Sequence, residues 1–548
     1  MILRRLYLYV VSAAALVLLA AGFALLGSMA LLFVFNDPTA NANRSQLATF
    51  AAMVIVAGPV WGIHFWFARR FAMRDPFERS SALRRLYLYF ACLASSIATM
   101  IALAGALSQL LLPVVDGQNL NGLVAAQFGW AALVFAAIFA FHLWSAATDR
   151  AAVGEEGASA TLRRWYMYVA LLVGFLAMLA GTASALQVAW ADIARGTNDR
   201  MLSGPAGLAI AGLVLWGVHA RVIAVRFSTD DRHSTLRALE GFIAVAVSIA
   251  VALTGASQIL YYLLARALGV DNPGGAGENL WVAAAGPGSQ LLVYGVAWFL
   301  VSRRLTRDAA TQEADRQASV RRLYTNLVSL ISLAAWATGA GMLLWSLAEQ
   351  IEAPIIGVNA SDWKNPVSVS VTLLVVGGAV WLAHWRQAPW AVDREAFSRK
   401  LYVYAALLGS VLAVLAGGVG IVNAVLLQLL KTNPRLDDPS NLDVGHFLAV
   451  ILVAAGVGIY HWRVLRADAA ARPARPAPAP EQARVQVIAP AASEAAVTVA
   501  ADDLGPHSHR YTLVVTDATD DDIHQALSNL PPAASYKLTH SEQTVDGR

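Results

Sequence analysis

Leu3-Arg4-Arg5-Leu6-Tyr7-Leu8-Tyr9 stands near the start of the chain and returns as Leu83-Arg84-Arg85-Leu86-Tyr87-Leu88-Tyr89 and as Leu162-Arg163-Arg164-Trp165-Tyr166-Met167-Tyr168. Looser copies are Val320-Arg321-Arg322-Leu323-Tyr324 and Ser398-Arg399-Lys400-Leu401-Tyr402-Val403-Tyr404. A degenerate copy, Leu236-Arg237-Ala238-Leu239-Glu240-Gly241, fills the gap between the third and the fifth. The first arginines, at 4, 84, 163, 237, 321 and 399, lie 80, 79, 74, 84 and 78 residues apart. A fixed period of this kind is the signature of a repeat architecture, and it predicts six tandem units.

Two further landmarks keep the register. Gly22, Gly181, Gly255, Gly339 and Gly417 each lie 18 residues after the first Arg of their unit, while Gly105 in the second unit is displaced by three. Near each unit's end comes Trp61-x-x-His64-x-Trp66, His142-x-Trp144, Trp216-x-x-His219, Trp381-x-x-His384-Trp385 or His461-Trp462. The fourth unit has Tyr294-x-x-Ala297 there, so it lost its His as well as its motif Tyr.

Composition sets the solvent. Of 548 residues, 57% are hydrophobic and 14% charged, against about 45–50% and about 25% in soluble domains. A soluble enzyme of this length, a disordered chain and a disulfide scaffold are excluded, the last because Cys92 is the one cysteine. The net charge of +4 is too small and too dispersed for a nucleic-acid binder. Each unit reads as two apolar segments around a polar loop, Leu6–Phe35 and Leu47–Ala68 in the first. A span needs about 20 apolar residues, so the expected fold is an all-α integral membrane protein of about twelve transmembrane helices, in six two-helix repeats of parallel orientation. The expected units are residues 1–80, 81–159, 160–233, 234–317 (degenerate), 318–395 and 396–467. The apolar text after Arg4-Arg5 imitates a signal peptide, but it recurs inside the chain and is read as a retained first helix.

Cations orient the array. Through Arg466, 27 Lys and Arg fall on the face that carries the Arg-Arg-Leu-Tyr starts and His-Trp ends, and seven fall in the opposite loops. The positive-inside rule then puts both termini in the cytoplasm. An Arg to Lys ratio of 36 to 4 points to a GC-rich bacterial genome and hence a plasma (inner) membrane. After the last unit, residues 468–482 form a Pro/Ala-rich linker, and residues 483–548 a short cytoplasmic tail of α/β-like pattern. In that tail 510–516 and 535–539 read as strands and 520–530 as a helix. His507, His509, His524 and His540 lie there without metal-ligand spacing.

Several residue sets are candidates for function. Arg4, Arg5, Arg84, Arg85, Arg163, Arg164, Arg321, Arg322 and Arg399 sit where arginines snorkel to phosphates and tyrosines form an interfacial belt. The alternative is a ring binding anionic lipid headgroups or another anion. His64, His142, His219, His384 and His461 recur at one depth. They read as helix-end donors to carbonyls or lipid heads, with haem or metal ligation and pH sensing as alternatives. The five register glycines read as helix-packing positions, extended by Gly58-x-x-x-Gly62, with a substrate hinge as the alternative. No Asp, Glu, Lys or Arg stands mid-segment, whereas coupled carriers keep such a residue at depth. No Walker loop, dinucleotide fingerprint or His-Glu-x-x-His occurs, so neither an enzyme, a cofactor nor a metal is expected.

The text Ala57-Gly58-Pro59-Val60-Trp61-Gly62-Ile63-His64-Phe65-Trp66, followed by Asp75-Pro76-Phe77-Glu78-Arg79 and Leu83–Tyr89, resembles a bacterial family of multi-pass membrane proteins catalogued as a domain of unknown function. The resemblance covers about residues 1–466 and not the tail. It implies membrane location and the repeat architecture, and no activity. The functional expectation is a non-enzymatic membrane scaffold or sensor whose tail binds a cytoplasmic protein partner. A permease or channel for a neutral or lipidic solute is the alternative, and a haem-binding membrane protein the third reading.

Overall fold

A chain surrounded by hydrocarbon must satisfy its backbone N–H and C=O groups internally, which leaves helices as the solution for long apolar segments. The computed structural model describes residues 2–197, 201–226, 234–273, 279–309, 315–356, 361–385, 396–430 and 444–470. Every regular element among them is helical. Twelve helices are long and apolar enough to cross a membrane, which makes the chain a multi-pass membrane protein. They are α1 (Ile2–Val34), α2 (Arg44–Arg74), α3 (Ala82–Leu111), α4 (Gly122–Val153), α5 (Gly157–Arg195), α6 (Ser203–Arg226), α7 (Thr235–Ala267), α8 (Ala285–Ala309), α9 (Asp315–Ile356), α10 (Lys364–Trp385), α11 (Phe397–Leu430) and α12 (Val444–Ala470). The strands and helix expected at 510–539, the tail histidines and residues 471–482 of the expected linker lie outside the described residues, while residues 468–470, expected in that linker, are the end of α12.

The helices overrun the apolar text. The sequence places the second segment at Leu47–Ala68, and α2 runs from Arg44 to Arg74. Arginine is a good helix former, so the hydrogen-bonded ladder continues into the charged end. Polar residues in the loops then cap the next helix. Asn121 accepts from the Val124 amide at the start of α4, and Asn279 accepts from Trp281 in the helical turn that precedes α8. Asp116 closes a π-type turn after α3 and accepts from the amides of Leu202 and Ser203, capping α6 in the following hairpin.

Consecutive helices pair into hairpins, α1/α2 through α9/α10, and Tyr402, His461, Arg399 and Asp468 join α11 to α12. Between hairpins, the first helix packs on the second helix of the next one: α1 on α4, α3 on α6, α5 on α8, α7 on α10. Successive first helices also touch. The largest buried cluster therefore spans three hairpins, with Tyr9, Leu88, Cys92, Met167 and Ala170 in it.

The register glycines sit where paired helices come closest. A methyl placed on Gly22 would stand 2.9 Å from Met53 Cβ, on Gly339 2.8 Å from Leu373 Cβ, and on Gly417 2.7 Å from Ile451 Cγ1. On Gly181 it would run into the backbone of Ala209 and Pro205, and on Gly255 into the Pro287 carbonyl. About one turn away, Gly212 of α6 approaches the Met178 amide equally closely, so α5 and α6 touch backbone to backbone. The Gly58-x-x-x-Gly62 reading does not hold. A methyl on Gly62 would meet nothing within 4 Å, and one on Gly58 only the Leu19 side chain of α1 at an ordinary 3.7 Å, so neither marks a close approach of helices.

Candidate functional site

The repeated motifs meet at the arginine-rich ends of the helices. The motif tyrosine of the first helix faces the histidine of the second: Tyr7 Oη and His64 Nε2 are 3.2 Å apart, Tyr87 and His142 3.2 Å, Tyr166 and His219 2.9 Å, Tyr402 and His461 2.9 Å. In the fifth hairpin Tyr324 and His384 meet edge to face, with ring centroids 6.0 Å apart. All five histidines turn Nδ1 onto the carbonyl four residues back, those of Val60, Ile138, Leu215, Val380 and Val457, at 2.7 to 2.9 Å. A carbonyl oxygen only accepts, so Nδ1 carries the proton and Nε2 of the neutral ring offers its lone pair. The tyrosine hydroxyl fills that lone pair. A haem iron or metal would need the same Nε2, and would have to displace the tyrosine in four hairpins to reach it.

Tryptophan extends the chain to the next hairpin. Trp61 Nε1 donates to Tyr87 Oη at 2.9 Å, and Trp381 Nε1 donates to Tyr402 Oη at 2.9 Å. Each of these hydroxyls accepts from a preceding tryptophan and donates to its own histidine. His142 and His461 are thereby buried, and His219 is buried against Phe139. Tyr7, in the first hairpin, is 59% exposed.

The arginines form a second tier, closer to the helix ends, and they correct the anchoring expectation. Arg84 is 2% and Arg85 0% exposed, so neither stands open at the surface as a snorkelling anchor would. Arg84 Nε donates to Asp149 Oδ2 at 2.6 Å, Arg79 holds Oδ1 of the same carboxylate, and Arg85 donates to the Ala146 and Gly154 carbonyls. Arg399 is likewise buried and pairs with Asp468 at 2.8 Å. Arg4 and Arg5 share Glu78, and Arg163 meets Glu155 at 3.1 Å. Arg164, Arg321 and Arg322 also have partners, with Arg321 on the exposed side. The tyrosines form no lipid-facing belt either: Tyr9, Tyr87, Tyr89, Tyr166, Tyr168 and Tyr402 are buried, and Tyr7 and Tyr404 are exposed. The physical reason is common to both sets. Each hairpin stacks on the next, so a helix end that looks interfacial in one dimension is an interior position in three.

The acids were the residues that sequence reading missed. Asp149 and Asp468 each lie seven residues, two helical turns, after His142 and His461, and at the same offset in the first hairpin Phe71 takes Arg4 over its ring at 4.5 Å. A second signal was present in the sequence: the fourth unit lost Tyr and His together, as expected of residues that touch. There Glu240 holds the tyrosine position and pairs with Arg304, at that same seven-residue offset from Ala297.

No group of three or more potential metal-binding side chains occurs among the described residues. Two apolar cavities of about 440 Å³ each lie elsewhere along the helices, one between α1 and α4 and one among α9, α11 and α12. No curated protein and no solved structure matches the chain. Residues 5–132 and 322–456, which take in α1–α3 with the start of α4 and α9–α11 with much of α12, match the model of a domain of unknown function (DUF5671).

Proposed function

We propose that this is a non-enzymatic membrane scaffold or sensor: six tandem hairpins of one orientation in a plasma (inner) membrane, both termini cytoplasmic, presenting the tail at 483–548 to a cytoplasmic protein partner. One observation carries the reading. The recurring polar side chains, which in an enzyme or coupled carrier would face a substrate, bind one another as Tyr–His, Trp–Tyr and Arg–acid pairs that stitch helices together. Supporting it are the one-sided cations and the uncharged middle of every segment. The test is proximity labelling from the C-terminus of the native protein, compared with a chain ending at Ala467 and with residues 468–548 on an unrelated anchor. A defined protein neighbour should follow the tail onto the foreign anchor. Identical neighbours for the full and the truncated chain would refute the role.

A second reading has an observation of its own. The two apolar cavities are lined at matching positions of the repeat, by Leu16, Ala20, Val134 and Ile138 in one and Leu333, Ala337, Val453 and Val457 in the other. Such cavities suit a permease or channel for a lipidic solute. Reconstituted chain that moves a fluorescent lipid between leaflets no faster than empty vesicles would dismiss it.

A further inference from the structure

Where the first hairpin meets the second, at the arginine-rich end, a small cavity of about 20 Å³ is walled by Arg69, Arg79, Arg84, Trp144 and Asp149 among others. Arg69 and Arg79 are not part of the repeated motif. Asp149 is bridged by Arg79 and Arg84, so one carboxylate stands against three guanidiniums and the walls carry two excess positive charges. Arg84 is the telling residue. Its side chain is buried, its Nε is held by Asp149, the Tyr9 hydroxyl is in hydrogen-bonding reach of the same guanidinium, and Nη1 alone is left without a hydrogen bond of good geometry. A buried cationic donor without an acceptor is costly, and an anionic oxygen is the acceptor that satisfies it best. A space of this size takes about one oxygen-sized group, so it suits one oxygen of a phosphate whose body rests at the mouth beside Arg69. Arg69 is exposed and lies over the Trp144 ring at 5.1 Å.

The same face of α4 leads onward. From Thr148 and Trp144 it continues in steps of three and four through Phe141, Ala137 and Val134, along the apolar cavity between α1 and α4. A charged head at the basic pocket and an acyl chain along this face would be held by one continuous stripe. That continuity favours a lipid over a free anion.

We propose that this pocket is a specific site for the phosphate of an anionic phospholipid, with an acyl chain laid along α4. The proposal stands independently of the scaffold role. It is tested on the full chain by native mass spectrometry with phosphatidylglycerol or phosphatidylcholine added, using Arg69→Gln, Arg69→Lys and, as a control outside the pocket, Arg70→Gln. One phosphatidylglycerol should be retained in preference to phosphatidylcholine. Arg69→Gln should weaken that retention about fivefold, the effect of one cation at a membrane surface. Arg69→Lys should restore most of it, and Arg70→Gln should leave it unchanged. Equal losses in Arg69→Gln and Arg70→Gln, or equal retention of the two lipids, would overturn the site. An Arg69-dependent rise in melting temperature with inorganic phosphate, without any lipid preference, would reassign it to free phosphate and overturn the lipid.

Discussion

The second and fourth hairpins hold their two helices together by different means. In α3/α4 the Tyr87–His142 pair and the Arg84–Asp149 pair close the arginine-rich end, while the register glycine is replaced by Ala102. In α7/α8 the tyrosine and histidine are gone, the ion pair has reversed polarity as Glu240–Arg304, and the glycine is kept as Gly255 against the Pro287 carbonyl. What persists across the pair is a polar bridge between first and second helix, not the identity of its groups. A position that tolerates an imidazole–phenol pair in one hairpin and a charge-reversed ion pair in another serves adhesion. End stitching and mid-helix close packing are therefore separate devices: the second hairpin keeps the Tyr–His stitch and moves its close contact to Gly105, where a methyl would stand 2.6 Å from the Phe128 ring, while the fourth changes the stitch and keeps Gly255 in register.

The sharpest way to break this contrast is at its most buried charge. Asp149→Asn would strand Arg84 in the interior, and losing one partner of a buried pair costs about 3–5 kcal/mol. Unfolding of the purified protein in micelles should show that loss. The matching Glu240→Gln should cost clearly less, because the Arg304 side chain is 35% exposed and can turn to solvent. Equal melting of the two variants would refute the role assigned to burial. Next in size is Gly255→Ala, whose methyl meets backbone that cannot move aside. Overpacking of this kind costs about 1–3 kcal/mol, and cross-linking between α7 and α8 should report a wider gap. Gly62→Ala, with open space around it, should show neither effect. A smaller loss is expected of Tyr87→Phe, which removes the acceptor of Trp61 and the donor to His142. About 1 kcal/mol is expected, given the modest strength of hydrogen bonds between membrane helices. Tyr7→Phe, at an exposed pair, should be milder still. A Tyr87→Phe protein as stable as wild type would remove the adhesive role of the layer.

Much of this architecture was legible one residue at a time, and the misreadings share a cause. Arg84, Arg85 and the motif tyrosines have the spacing and residue types of an interfacial belt. That assignment assumes each helix end faces lipid. Stacking the first helix of one hairpin on the second helix of the next turns those ends inward, and no periodicity within a single segment reveals it. The histidines were located correctly by register, yet their partners were not, because Tyr87 and His142 are 55 residues apart and nothing local links them. The joint loss of both in the fourth unit was the one trace in the sequence. Asp149 and Asp468 escaped notice for a related reason. Cations were weighed as a topology signal, and the acids that pair with them carry no such signal.

Taken alone, the sequence determined the solvent, the element type and the number of long helices, because those follow from apolar content, segment length and the cost of unsatisfied backbone in hydrocarbon. Tertiary structure alone decided which polar side chains face each other. Hydrogen bonds and ion pairs depend on ångström distances between segments dozens of residues apart, and only the packing of α1 on α4 and α3 on α6 sets those distances. That packing turned Arg84 from an expected surface residue at a helix end into one wall of a buried basic pocket.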